Sequence, residues 1–322
     1  MAENIFLSVF SDELNTYMEH RKSCGIKESG AISNLRKLDA FMAENCTDKC
    51  FTRENADKWK ERRNDESPKG HYKRVNDSKL FFQFLFPQGY EVFLFDDIRN
   101  PPNNFIAHYY TDDEVERYFH AVDNYHSSYN KLHCIQLPVL FRILYCCGTR
   151  IGETLAIRKK DIDLESGIIR LTETKNSKER YVIMSGELLT LTRRFADRSF
   201  YQITDDEYVF RNRTGSRLKQ ESVSQIHRKI LTMAGIPFMG NCHGPRIHDW
   251  RHTFAIRSFK QMSDNGTDMY VALPILSTYL GHGTIMATEH YLGLTMEMFP
   301  EIEEKMKKTA ENVFGGMMYE DN

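Results

Sequence analysis

Leu276-Ser-Thr-Tyr-Leu-Gly-His282-Gly-Thr-Ile-Met-Ala-Thr-Glu-His-Tyr291 reads as a short helix, a turn at Gly281-His282-Gly283, and a second helix for which Thr284 is a plausible N-cap. The step from His282 to Tyr291 covers the turn and about two helical turns, rising roughly 1.5 Å per residue. Both side chains can therefore reach one pocket if the turn folds back. Tyr291 alone carries little weight, because it is one of 16 tyrosines and most tyrosines pack in cores. The segments upstream decide how to read it.

Gly244-Pro-Arg-Ile-His248-Asp-Trp-Arg251-His-Thr-Phe-Ala255 opens another helix, with Pro245 just outside its first turn. His248 and Arg251 stand at i, i+3 and share a face, while Trp250, Phe254, Ile256 and Phe259 point toward a core. A helix start suits a phosphate, because unpaired N–H groups and the helix dipole both favour an anion. Earlier, an apolar helix (Leu137, Leu140, Ile143, Leu144) breaks at Gly148 and restarts with Thr149 as a candidate cap. That puts Arg150 at a helix start, with Glu153 one turn on, as a support for Arg150 or as a plain helix-face carboxylate. Between these segments, Gly167–Thr172 and Arg180–Met184 read as two strands of a hairpin with a polar loop. Lys175 lies near its tip, and Lys178 competes for the same place.

Together these residue types can break and rejoin a phosphodiester. Arg150 and Arg251 can each offer paired N–H donors to phosphate oxygens and stay charged at any cellular pH. His248, His282 and Lys175 can carry protons, and a tyrosine can attack phosphorus. Charge builds on the phosphate oxygens as phosphorus becomes five-coordinate, so preplaced donors stabilise the transition state most.

In order and spacing, the four segments resemble the catalytic domain of the tyrosine recombinases, the phage-integrase family, over roughly residues 110 to 295. Gly148-Thr-Arg150-Ile-Gly-Glu153 is similar to its first arginine box, and Thr174-Lys175-Asn-Ser-Lys178-Glu-Arg180 to its lysine hairpin. His248-Asp-Trp-Arg251-His-Thr-Phe is similar to its second box, and Leu280-Gly-His282 through Tyr291 to its third box with the nucleophile. Trp250 stands where leucine is more usual, and Arg158 where tryptophan is frequent; neither is a chemical group of the reaction.

The resemblance implies a mainly α fold with a small antiparallel β-sheet in the catalytic domain: an N-terminal helical bundle followed by an α+β tyrosine-recombinase catalytic domain. It implies site-specific recombination through a 3′-phosphotyrosyl linkage and a Holliday junction, with no metal, ATP or other cofactor. Tyr291 would be the nucleophile, Lys175 the general acid, His248 the base or proton relay, and His282 a hydrogen-bond donor to the phosphate. The implied partners are double-stranded DNA recombination sites and three further copies of the chain, giving a homotetramer on DNA from a monomer in solution. Accessory DNA-bending proteins are admitted as further partners. Two other readings stay open: a type IB topoisomerase-like enzyme that relaxes DNA, and a catalytically silent DNA-binding regulator.

The 322 residues, 41% hydrophobic, fit two domains with real cores. No run of 18 apolar residues and no signal-peptide pattern is present, so the expectation is a soluble protein of the bacterial cytoplasm, away from membranes and at the nucleoid when active. Seven cysteines without paired C-x-x-C spacing fit a reducing compartment, and the Cys46/Cys50 and Cys242-His243 pairs lack a second pair at ligand spacing, so no metal site is expected. A net charge of −2 is awkward for a DNA-binding protein. Residues 150–260, however, hold 21 Lys and Arg against 13 Asp and Glu, and residues 297–322 hold 3 against 7. The positive charge is concentrated where the boxes lie.

Residues 1–104 read as a small helical domain. Ile5, Phe6, Val9, Phe10, Leu14 and Tyr17 form one stripe, and Ile32, Leu35, Leu38, Phe41 and Met42 a second. Helices near Thr52–Arg63 and Tyr72–Phe86 follow, and Lys69, Lys73, Arg74 and Lys79 make the last one basic. Any small bundle would show this pattern; the resemblance adds a jaw that grips DNA through these four residues, with Lys178 and Arg180 as further contacts from the catalytic domain. Asn100-Pro-Pro-Asn-Asn104 marks a linker (about 98–108), and Thr111-Asp-Asp-Glu114 is a capping box that starts the catalytic domain, 109–322. Beyond Pro300 a tail helix at about 300–314 is expected, docking on its own domain or on a neighbouring subunit.

Overall fold

A computed structural model describes residues 6–26, 30–102, 107–127, 130–173, 179–238, 244–281, 286–302 and 304. The chain divides into two compact units, Met1–Phe105 and Ile106–Asn322.

The first unit contains α1 (Ser11–Ser23), α2 (Ile32–Asn45), β1 (Cys50–Phe51), α3 (Arg53–Lys60), α4 (Pro68–Leu85) and β2 (Glu91–Val92). The first apolar stripe only partly becomes helix. Phe6 and Phe10 are buried, but they precede α1, because the Asp39 carboxylate accepts the backbone N–H groups of Leu7 and Ser8 at 2.8 and 2.9 Å and holds that stretch non-helical. α3 is capped by Thr52, and α4 begins four residues before the expected Tyr72: the Ser67 side chain accepts from Gly70 N, and Pro68 follows at the first helical position. The core joins Leu35, Leu38 and Met42 of α2 to Phe81, Phe82 and Leu85 of α4. β1 and β2 pair in parallel, an addition to the expected all-helical unit, and Phe51 of β1 stacks on Phe82 at 4.2 Å.

The four basic residues expected at the DNA stand in different surroundings. Arg74 is 1% exposed, with donors committed to the Glu66 carboxylate and to the carbonyls of Trp59 and Glu61. It therefore ties α4 to the end of α3 and to the segment that follows it. Lys79 is paired with Asp97. Lys69 and Lys73 are exposed, with Lys69 bonded to Asn100 at 2.5 Å.

The second unit runs α5 (Asp112–Asp123), α6 (His133–Cys147), α7 (Ile151–Leu155), β3 (Ile162–Asp163), β4 (Ile168–Leu171), β5 (Arg180–Ile183), α8 (Gly186–Ser199), α9 (Gln220–Met233), α10 (Asp249–Asp264), α11 (Met269–Leu280) and α12 (Met286–Met298). The Thr111/Glu114 capping box starts α5. The hairpin is antiparallel, with Ile168 opposite Ile183 and Leu171 opposite Arg180, and β3 adds a third strand beside β4. α10 is the central element. Trp250 on its first turn is fully buried and stacks on Tyr110 at 3.7 Å and 3°, so the larger ring fills a real slot. Its other end packs with α11 and α12 through Phe259, Met269, Leu276 and Leu280. Of the tail, Ile302 is buried in this cluster, and residues 305–314 lie outside the described residues.

α6 ends where the sequence reading breaks it, at Gly148, whose φ of 59° closes the helix. The next helix is capped by Arg150 and Glu153 and not by Thr149, whose hydroxyl instead meets that of Thr154 at 2.6 Å.

Candidate active site

The last carbonyls of a helix have no intrahelical donors. At the end of α11, three arginines from three other elements supply them. Arg180 Nε donates to Tyr279 O at 3.0 Å, Arg251 Nη2 to Leu280 O at 2.7 Å, and Arg150 Nη2 to Gly281 O at 3.3 Å. Arg251 Nη1 also donates to Gly148 O at 2.8 Å, joining the break after α6 to the first turn of α10. The two arginine boxes and the Leu280-Gly281 stretch thus meet at one helix end.

Glu153 anchors this meeting. It is 3% exposed; its Oε1 accepts Arg150 Nη1 at 2.8 Å, and its Oε2 accepts the Arg150 backbone N–H at 2.9 Å. Arg180 adds a fork, with Nη1 and Nη2 at 2.9 and 2.8 Å from the two oxygens. Burial by itself would raise the Glu153 pKa, but the hydrogen bonds and charge of Arg180, with those of Arg150, outweigh it and hold it at about 2. A carboxylate with a depressed folded pKa stabilises the fold above its ordinary range, and that contribution fades as the pH falls toward 2. Glu153→Gln should therefore cost about 3–5 kcal/mol near neutral pH. The deficit should shrink below about pH 4.5 in pH-resolved urea unfolding; a deficit constant with pH would contradict the assignment.

Arg251 is 1% exposed. Burial first, and then the nearby Arg150 charge, lower its pKa to about 10, while Tyr291 and Glu153 act the other way, so it stays charged at neutral pH. Tyr291, on α12, is near enough to act on that guanidinium and is 4% exposed. Its ring lies 5.0 Å from that of His252, which lies 4.9 Å from that of His248. His248 precedes α10 and keeps an exposed face. Desolvation, then the charges of Arg251, Arg150 and Arg246, push its pKa down to about 4. A neutral imidazole there can accept a proton at physiological pH.

A cavity of about 670 Å³ opens beside His248, lined by Ile151, Gln220, Ser224, Arg228 and Arg246 among others. Another of about 620 Å³, along α6 and α8, touches none of these groups. Among the described residues, no cluster of His, Cys, Asp or Glu could hold a metal ion, and no helix is long and apolar enough to cross a membrane.

The structure thus brings Arg150, Glu153, His248, Arg251 and Tyr291 together. Lys175, Lys178, His282 and Thr284 lie outside the described residues. Arg180, expected on DNA, instead has its guanidinium turned inward onto Glu153 and Tyr279. His252 was not singled out by the sequence reading; its position at i, i+4 from His248, on the same helix face, is the signal that could have found it.

The phage integrase family model matches residues 108–298, more than half of the chain. Among curated relatives, the putative integrase/recombinase y4rB of Sinorhizobium fredii is 26% identical over 95% of this chain and 99% of its own length. The tyrosine recombinase XerC of Chlorobaculum parvum is 27% identical over 52% of this chain and 47% of its own. Among solved structures, the Tn1549 transposon integrase in complex with transposon right end DNA superposes with a TM-score of 0.63 at 16% identity, covering 91% of this chain and 100% of that one. XerH site-specific recombinase bound to palindromic difH substrate, a post-cleavage complex, gives 0.60 at 18%, covering 87% and 77%. At these identities the structural likeness speaks for the fold.

Proposed function

Because this chain belongs to the phage integrase family and is a tyrosine-type site-specific recombinase, we propose that it breaks and rejoins double-stranded DNA through Tyr291. The phenolic oxygen attacks the scissile phosphorus, a 3′-phosphotyrosyl bond forms, and the 5′ oxygen leaves with a proton. The linkage keeps the energy of the broken ester, so a 5′ hydroxyl can reverse the step without nucleotide or metal. Arg150 and Arg251 hold the non-bridging oxygens and stabilise the charge that develops on them. His248, neutral at physiological pH, takes the phenolic proton. Lys175 protonates the leaving oxygen, and His282 donates to the phosphate. Strand exchange between two sites then passes through a Holliday junction in a tetramer on DNA. The first unit grips the duplex with exposed lysines, Lys69 and Lys73 among them, in the bacterial cytoplasm.

One observation carries this reading: Arg150 and Arg251, 101 positions apart in the sequence, cap adjacent carbonyls at the end of the helix that precedes the Tyr291 helix. The test is covalent capture. The full chain is incubated with nicked suicide duplexes carrying randomised arms, and DNA that stays attached through denaturation is sequenced. The expected result is recovery of a preferred sequence; no attached DNA above background would overturn the proposal. On the captured sequence, the second-order rate of adduct formation should rise with pH through about 4 and be level through 6.5. An acid limb at the ordinary histidine value would argue against His248 as the proton acceptor.

A further inference from the structure

Arg180 opens β5, five positions after Lys175 in the sequence. Its side chain is 11% exposed, against 2% for that of Glu153. One oxygen of Glu153, Oε1, receives both Arg180 Nη1 and Arg150 Nη1, at 2.9 and 2.8 Å. The carboxylate therefore bridges two guanidinium groups that would otherwise repel. Nε of the same arginine holds Tyr279 O. Gly281, next to that contact, makes room for it: a β-carbon there would lie 3.2 Å from Arg180 Cδ.

We propose that Arg180 is a positioning residue for strand cleavage, fixing through Glu153 the direction in which Arg150 presents its donors to the scissile phosphate. It touches no reacting atom. With the fork in place, Glu153 has one rotamer, and Arg150, bonded to it at both side chain and backbone, has one aim. Without the fork, the carboxylate turns toward Arg150 alone and draws it off the phosphate. This inference rests on the strand-breaking function proposed above.

The test uses the full chain and the captured duplex in two forms: an ordinary scissile phosphodiester, and a methylphosphonate in which a methyl group replaces one non-bridging oxygen. The neutral methylphosphonate needs less charge stabilisation, so a defect that acts through Arg150 shrinks on it. Arg150→Ala calibrates this, with an expected loss of ~10²–10³ in adduct rate on the phosphodiester. Arg180→Met should lose ~10–100-fold there, as is usual for groups that orient a functional side chain. It should recover on the methylphosphonate in parallel with Arg150→Ala. A loss of equal size on both substrates, or no loss on either, would overturn the inference while leaving the cleavage reading intact. If Arg180→Met does not fold, Arg180→Lys, which keeps the charge and removes the fork, serves the same comparison. No adduct from the wild-type protein on any duplex would overturn the strand-breaking reading, and this inference with it.

Discussion

If Arg251 holds the scissile phosphate as proposed, Arg251→Ala is expected to slow covalent adduct formation by ~10²–10³ at temperatures well below unfolding. The same substitution removes the bonds to Gly148 O and Leu280 O, so stability should also fall, by roughly 1.5–3 kcal/mol for each lost charged bond. Arg251→Lys should restore part of the stability but little of the rate, because a lysine brings charge without the fork. Single-turnover cleavage beside thermal unfolding separates the two effects. An alanine variant within tenfold of wild type would remove Arg251 from the chemistry.

Gly148→Ala should be among the most destabilising single substitutions in the second unit. The residue has φ of 59°, where a β-carbon is strained, and that carbon would lie 2.3 Å from Phe254 Cδ1. Strain and overlap together should cost about 3–5 kcal/mol, lowering the midpoint by roughly 2–4 °C per kcal/mol. Adding Phe254→Leu should recover the part due to overlap and leave the part due to φ. Gly152→Ala, where nothing lies within 4 Å, is the control and should be near neutral. Because Gly148 O is an acceptor for Arg251, the Gly148 variant should also lose cleavage. A variant as stable as the control would show that the turn can relax without cost.

What could be read in advance depended on the range of each interaction. The cap of α5, the break at Gly148, the hairpin on either side of Lys175 and the shared face of His248 and Arg251 are set by neighbours a few residues apart, so spacing and turn chemistry predict them. The Glu153–Arg180 fork joins residues 27 apart through the meeting of α7 and β5, and no local pattern announces it. Arg74 illustrates the same limit. A basic residue on an amphipathic helix reads as solvated or DNA-facing until Glu66 and the Trp59 carbonyl are seen to enclose it. The start of α1 moved because Asp39, 31 and 32 residues away, accepts the N–H groups that a longer helix would have used. The pairing of β1 with β2 rests on two residues per strand, too few to stand out from their helical surroundings.

If Tyr291 acts as proposed, its phenol becomes the covalent attachment point for DNA. Wild-type protein trapped on the captured suicide duplex can be digested with nuclease and protease and the modified peptide sequenced by mass spectrometry. The expected result is a nucleotide phosphate on Tyr291, and no adduct from a Tyr291→Phe variant that still binds the duplex. A modification on any other residue, or an adduct that survives in Tyr291→Phe, would contradict it.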